Sequence, residues 1–297
     1  MDMFMKRIST LLSCLVFAGL SAIAQPKTIY LGPLEGVNPG QKGFSYQGMD
    51  VKGRTAVSLQ NQGIATVYRL SGKGKSVLGQ FRLDSFSKAN HANVASFGPW
   101  KASRKDPLPL LYVSHCSKKQ LGNYKDPCYV ERIAPDYSSS ELVQTIVYDD
   151  TEGDFGYALQ WVVDLRRRLL LGYGNTISNS DPSNKHRVIV FPLPKPSDGP
   201  LIILHREDAL EDYLIEDVSD FRFNPVGQGL YVRRGKLYMP TGLGTAAAPS
   251  VLYVWDLRKH TMEEVFLGDC TTGELEDISM TCGRFVLQGQ DGMWILK

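Results

Sequence analysis

Amides, carboxylates, one imidazole and one indole are scattered along the chain at Gln47, Asp50, His91, Asn93, Gln160, Trp161, Asp217, Asp220, Gln228, Glu276 and Asp277. Gathered in one place, they would suit a polyhydroxylated ligand. Amides and carboxylates hydrogen-bond hydroxyls, and an aromatic face stacks on the C–H surface of a sugar ring. Each also has a structural use: Gln at a strand start can satisfy backbone groups, His91 can be an ordinary hydrogen-bonding residue, and Trp161 can wedge between sheets. Asp50 and Asp277 stand beside apolar residues, where a carboxylate commonly joins a buried network. Other chemistries leave no trace. No His-Glu-x-x-His, Gly-x-Ser-x-Gly, phosphate-binding Gly-rich loop or Asp-x-Asp-x-Asp-Gly calcium loop occurs, so neither metal nor cofactor is expected.

Strand starts must bring these distant residues together. "QGMDVKGRTAVSL", from Gln47, returns loosely as "QGLYVRRGKLYM", from Gln228. Short β-branched and aromatic runs separated by Gly and Asn turns are hairpin signals, and they recur in blocks beginning near Gln47, His91, Ala158, Gln228 and Glu276. The first four blocks hold four strands each. The last, "EDISMTCG", "RFVLQGQ" and "GMWILK", is one strand short, and an isolated strand, "KTIYLGPL", stands near the start of the chain. This pattern predicts an all-β fold, a five-bladed β-propeller of four-stranded antiparallel blades, with residues 27 to 34 closing the last blade. Six blades or a β-sandwich are the alternatives. The third blade is expected to use "ALQWVVDLRRR", "LLLGYGN", "HRVIVFPLP" and "GPLIILHRE".

In such a ring the innermost strands crowd at the axis. Gly48 and Gly229 would permit the close approach, while Val51, Val57, Leu59, Val232, Leu237 and Met239 would be core. The concave mouth of the channel, at the starts of the innermost strands, is where the polar residues above would meet. His205 to Phe221 reads as the one short helical stretch, Pro192 to Pro200 as a loop, and Gly174 to Arg187 as a long polar loop, either a rim element that touches a ligand or a mobile insertion. Arg166 to Arg168 would form a solvated turn on the opposite face.

The first residues, "MDMFMKRISTLLSCLVFAGLSAIAQ", combine Lys6 and Arg7 with an apolar stretch and Ala22-Ile23-Ala24. They read as a secretory signal peptide over residues 1–24, leaving one propeller domain over 25–297. A lipobox ending at Cys14 is the competing reading. The expected location is therefore outside the cytoplasm, periplasmic or extracellular, with no membrane span after cleavage. With 33 basic and 31 acidic residues and a formal net charge of +2, there is no electrostatic case for nucleic acid. Four further cysteines permit disulfides. Cys116 and Cys128 stand at the two ends of one hairpin loop and are expected to pair, whereas one extended strand separates Cys270 from Cys282 too far for a bridge.

The topology resembles the five-bladed glycoside hydrolases, and "HANV" followed by "LLYVS" is similar to their His-Ala-Pro and Tyr-Tyr-x-Ser strands. The resemblance implies carboxylates from different blades facing the channel: Asp50 as base or nucleophile, with Asp220 or Glu276 as acid. Asn93 stands where that family has Pro, and no Glu-Gly-Pro acid motif occurs. The functional expectation is thus recognition of a glycan or other small polar ligand at the channel mouth, with a protein partner as the second choice. A carbohydrate-active enzyme and a protein-interaction scaffold are the alternatives.

Overall fold

The computed structural model describes residues 26–38, 41–116, 123–221, 228–268 and 271–297. The expected leader, with Cys14, and the single residue Cys270 lie outside them. Strand β1 (Thr28–Gly32) is followed by the first blade, made of β2 (Tyr46–Lys52), β3 (Thr55–Gln60), β4 (Ile64–Leu70) and β5 (Lys75–Arg82). The second blade is β6 (Val94–Phe97), β7 (Leu111–Ser114), β8 (Tyr124–Ile133) and β9 (Ser140–Asp149). The third begins with β10 (Leu159–Asp164), β11 (Leu169–Asn175) and β12 (His186–Pro192). After β13 (Leu201–Leu204), β14 (Glu211–Leu214) and the single-turn helix α1 (Ile215–Val218), the fourth blade holds β15 (Tyr231–Arg233), β16 (Lys236–Thr241), β17 (Val251–Asp256) and β18 (Thr261–Phe266). The fifth is β19 (Leu275–Thr281), β20 (Arg284–Gly289) and β21 (Gly292–Leu296).

The ring closes as its strand count requires. β1 pairs antiparallel with β21, Thr28 opposite Leu296 and Tyr30 opposite Trp294, and becomes the outer strand of the fifth blade. That pairing removes two open sheet edges at once. Middle strands are covered on both faces by the neighbouring blades, so every residue of β3 and all but Arg69 of β4 are buried, the polar Thr55, Ser58, Gln60 and Thr66 included. Outer strands such as β18 alternate between half-buried and exposed positions. Five hydrophobic clusters fill the five seams between blades: one joins Val57 and Val67 to Val113 and Ile133, another joins Met49 and Val51 to Val286 and Ile295. All six core residues anticipated from the repeat are buried.

The third blade departs from expectation at its outer edge. "LIIL" does not complete it. β13 instead adds in parallel to β9 as a fifth strand of the second blade, Leu201 opposite Thr145 and Leu204 opposite Tyr148. Leu204 and Ile202 there pack into the core between blades two and three, and Gln144 Nε2 fixes the preceding loop by donating to Lys195 O (2.9 Å) and Gly199 O (2.8 Å). The acidic segment expected to be helical supplies β14, the true outer strand of blade three, held by Arg187 Nη1 on Asp212 (2.7 Å). Only Ile215–Val218 of it is helix.

The anticipated Cys116–Cys128 bridge is not formed. Cys128 faces Ser114 in the β7–β8 ladder and turns its thiol into the core beside Tyr112, Val130 and Trp161, where burial pushes its pKa upward. Cys116 lies past the end of β7 and opens on the channel mouth. Among the described residues, no helix is long and apolar enough to cross a membrane.

Candidate functional site

The innermost strands converge without forming ladders to one another, so their edge N–H groups need other partners. Side chains of adjacent blades supply them. Asp277 Oδ2 accepts from Met49 N (2.6 Å), Asp50 Oδ2 from Phe97 N (2.5 Å), Ser96 Oγ from Val163 N (3.4 Å) and Ser114 Oγ from Trp161 N (3.1 Å). Where no side chain fits, backbone does the same. Gly48 N donates to Ala92 O at 2.9 Å and Gly229 N to Glu276 O at 2.6 Å. A Cβ on Gly48 would lie 2.7 Å from the carbonyl carbon of Val94, and one on Gly229 2.1 Å from Asp277 Oδ1. These two glycines are required by close approach, as their place in the repeat predicts.

Above this belt of hydrogen bonds, the strand starts open into a cavity of about 390 Å³. Gln47 comes from β2, His91 and Asn93 from the segment before β6, Gln160 from β10, Gln228 from the segment before β15 and Glu276 from β19; all six were expected there and all line it. The remaining expected residues do not. Asp50 is buried, its Oδ1 accepting from Val51 N (2.7 Å) and Ser279 Oγ (2.5 Å). Asp277 also accepts from Ile278 N (2.8 Å). Trp161 is buried, its indole N–H donating to Asp126 O at 2.6 Å. Asp217 pairs with Lys185 (2.5 Å) on the surface, and Asp220 is exposed, away from the cavity. The carboxylate set Asp50, Asp220 and Glu276 is therefore not assembled at one place.

Burial raises the Asp50 carboxyl to about 6, although Ser279, the Phe97 and Val51 amides and Lys52 pull the other way. Asp277 is driven well above the carboxylate range, first by burial and further by the Asp50 charge, against the opposing hydrogen bonds. Their contacts make both carboxyls structural.

Chemistry within the cavity centres on β19 and β20. Glu276 is lifted to about 8 by burial first and the Glu274 charge second, opposed by the hydrogen bond from Gln290 Nε2. Gln228 Nε2 donates to Glu274 Oε1 at 2.6 Å, so each carboxyl is held by one carboxamide. On the opposite wall, His186 begins β12, with its Nδ1 2.6 Å from Glu216 Oε1 and its ring stacked on Tyr173 at 5.8 Å. Burial would raise Glu216, but the hydrogen bonds from His186 outweigh it and leave that carboxyl below its ordinary value. Gln290, His186 and Cys116 escape a reading confined to innermost strands, whereas Glu274 stands just before β19 and is open to that reading but absent from the sequence-derived set. Antiparallel order also brings the end of each second strand and the start of each third strand to the same mouth.

Three carboxamide oxygens in this ring, Gln47 Oε1, Asn93 Oδ1 and Gln160 Oε1, are buried and receive no donor among the described residues. The side chains come from three blades and are at most 5% exposed. Gln160 Nε2 lies 3.8 Å from Cys116 Sγ. Among the described residues no group of three or more His, Cys, Asp or Glu could hold a metal ion.

No protein-family model and no curated protein matches the chain. Solved structures resemble it in fold. The tail fibre of Staphylococcus aureus phage P68 is similar over 91% of this chain and 52% of its own, at 10% identity and a TM-score of 0.52, so the chain spans about half the length of that protein. Myxococcus xanthus glutaminyl cyclase is similar over 92% of this chain and 96% of its own, at 13% identity and a TM-score of 0.50. A glucose dehydrogenase is 11% identical over 92% of this chain and 99% of its own, with a TM-score of 0.46. At identities this low the likeness to the first two shows the fold alone, and function rests on the site.

Proposed function

We propose that the protein binds a small, hydroxyl-rich ligand, a carbohydrate first, in the cavity at the channel mouth. The observation that carries this reading is the trio of carboxamides Gln47, Asn93 and Gln160, which line one cavity and whose buried oxygens have no protein donor among the described residues. An unsatisfied buried polar group costs about 1–3 kcal/mol. Once the carboxamides turn toward the cavity, ligand hydroxyls would donate to these oxygens and accept from the amide N–H groups of the same ring. Tyr157 offers the aromatic surface for which Trp161, being buried, is not placed. The N-terminal residues support export: a charged start, an apolar stretch and Ala22-Ile23-Ala24 suit cleavage after Ala24 and release into the periplasm or the medium. A mature protein from the cell envelope or medium that begins at Gln25 would agree with that; one that begins at Met1 would not.

A second reading has one observation in its favour. Glu276, raised to about 8, is a proton donor at neutral pH and stands beside Glu274, the arrangement a general acid needs to act on a bound sugar. Screening the purified protein on a glycan array, with release of reducing sugar followed in parallel, separates the two. Binding without release supports recognition alone, and release that disappears in Glu276→Gln supports catalysis. Silence in both assays would overturn the carbohydrate assignment.

A further inference from the structure

The face opposite the cavity carries a different chemistry. Strand alternation sends the first and third turns of every blade to that face. In blades three and four those turns hold Arg166 and Arg167, Arg234, and Arg258 with Lys259, and together they line a second cavity of about 410 Å³. Asp164 and Asp256 also line it, but both are occupied in building the turns. Asp164 Oδ1 accepts from Arg166 N (3.0 Å) and Arg167 N (3.1 Å), and its Oδ2 pairs with Arg167 Nε at 2.6 Å. Asp256 Oδ1 accepts from Arg258 N (3.0 Å) and Lys259 N (2.9 Å). Arg166, Arg234, Arg258 and Lys259 form no ion pair among the described residues. Arg234 is held at φ 53°, in the left-handed region that non-glycine residues rarely occupy.

Five cationic side chains, Arg166, Arg167, Arg234, Arg258 and Lys259, thus face two carboxylates, Asp164 and Asp256, in one concavity, a local excess of three positive charges in a chain whose formal net charge is only +2. They come from separate turns of two blades, so a charge clustered along a single solvated turn does not describe them. Mutual repulsion makes the empty pocket unfavourable and an anion within it favourable. Guanidinium groups present forked N–H pairs that match phosphate, sulfate and carboxylate oxygens two at a time. We propose that this cavity, at the junction of blades three and four, is a binding site for a small soluble oxyanion carrying two or more negative charges. The site is separate from the channel mouth and does not depend on what binds there.

The test is isothermal titration of the full chain with inorganic tripolyphosphate at low and at physiological salt. Saturable binding is expected, weakening as salt rises. Arg234→Ala and Arg258→Ala should each lower the affinity at least tenfold, with circular dichroism confirming an unchanged fold. Lys88→Ala and Arg104→Ala, exposed elsewhere, should leave it unaltered, as should Asn93→Ala at the channel mouth. Absence of saturable binding at low salt would overturn the assignment. So would an affinity that falls equally in Lys88→Ala, which would indicate attraction to net charge rather than to this cavity.

Discussion

Asp277 of the fifth blade holds the backbone amide of Met49 in the first blade, Oδ2 to N at 2.6 Å, across the seam where the ring closes. The same carboxyl accepts from Ile278 N, and its neighbour Asp50 repeats the arrangement one seam further on with Phe97 N. Truncating Asp277 to Ala strands two buried donors. From the usual cost of such groups, the loss should be about 2–5 kcal/mol. Urea unfolding checks it, and a loss below about 1 kcal/mol would show that the belt contributes little.

Close approach at the axis gives a sharper contrast. Gly48→Ala pushes a Cβ against the backbone of Ala92 and Val94, and Gly229→Ala pushes one into Asp277 Oδ1. Both should destabilise by more than about 2 kcal/mol, since overpacking a rigid site moves backbone. Gly72→Ala, where a Cβ meets nothing within 4 Å, is the control and should stay within about 0.5 kcal/mol of the parent. Thermal midpoints of the three variants decide the matter.

The buried acids set the pH dependence. Glu276 is raised from 4.5 to about 8 and Asp50 from 3.8 to about 6, so in both cases the folded state holds its proton more tightly than the unfolded chain. The stabilisation is complete below about pH 4. It is lost as pH rises through about 6 for Asp50 and about 8 for Glu276. Glu276→Gln keeps the shape without the titration and should flatten the upper part of this decline, by an amount on the order of a few kcal/mol between pH 5 and 9. Denaturant midpoints measured across that range test it. An unchanged slope in the variant would assign the decline to other groups.

Removing the first strand tests ring closure. Without residues 25 to 34, β21 loses its partner and the outer edge of blade five is left open. The truncated chain should lose several degrees or more of thermal midpoint and self-associate through the exposed edge. Light scattering and calorimetry report both effects. A truncated chain that stays monomeric with the parent's midpoint would mean that β1 is not part of the closure.

Blade number and closure were legible because turn residues and β-branched runs are local signals, and because a missing last strand together with an orphan first strand admits one simple pairing. The edge to which "LIIL" would add was not. An apolar tetrapeptide declares itself a strand, but whether it joins blade two or blade three depends on the loop that Gln144 fixes and on the Arg187–Asp212 pair across β12 and β14. Within the site, neighbouring residues were grouped too generously. Side chains alternate along a strand, so Gln160 and Trp161 cannot both face the channel: Gln160 lines the cavity, and Trp161 fills the core between blades. The irregular register at β19 separates Glu276 from Asp277 in the same way. Cys116 and Cys128 illustrate a further limit, since nearness across a loop does not orient two thiols toward each other.

The central claim, that the carboxamide ring is a ligand site, is tested most directly by the side-chain amide resonances of Gln47, Asn93, Gln160, Gln228 and Gln290 in a ¹⁵N-labelled protein titrated with the best glycan from the array. Saturable shifts concentrated on these five side chains are expected, with the shifts and the binding heat both lost in the Asn93→Ala, Gln160→Ala double variant. Saturable binding that leaves all five resonances unmoved would place the ligand elsewhere on the molecule and contradict that claim.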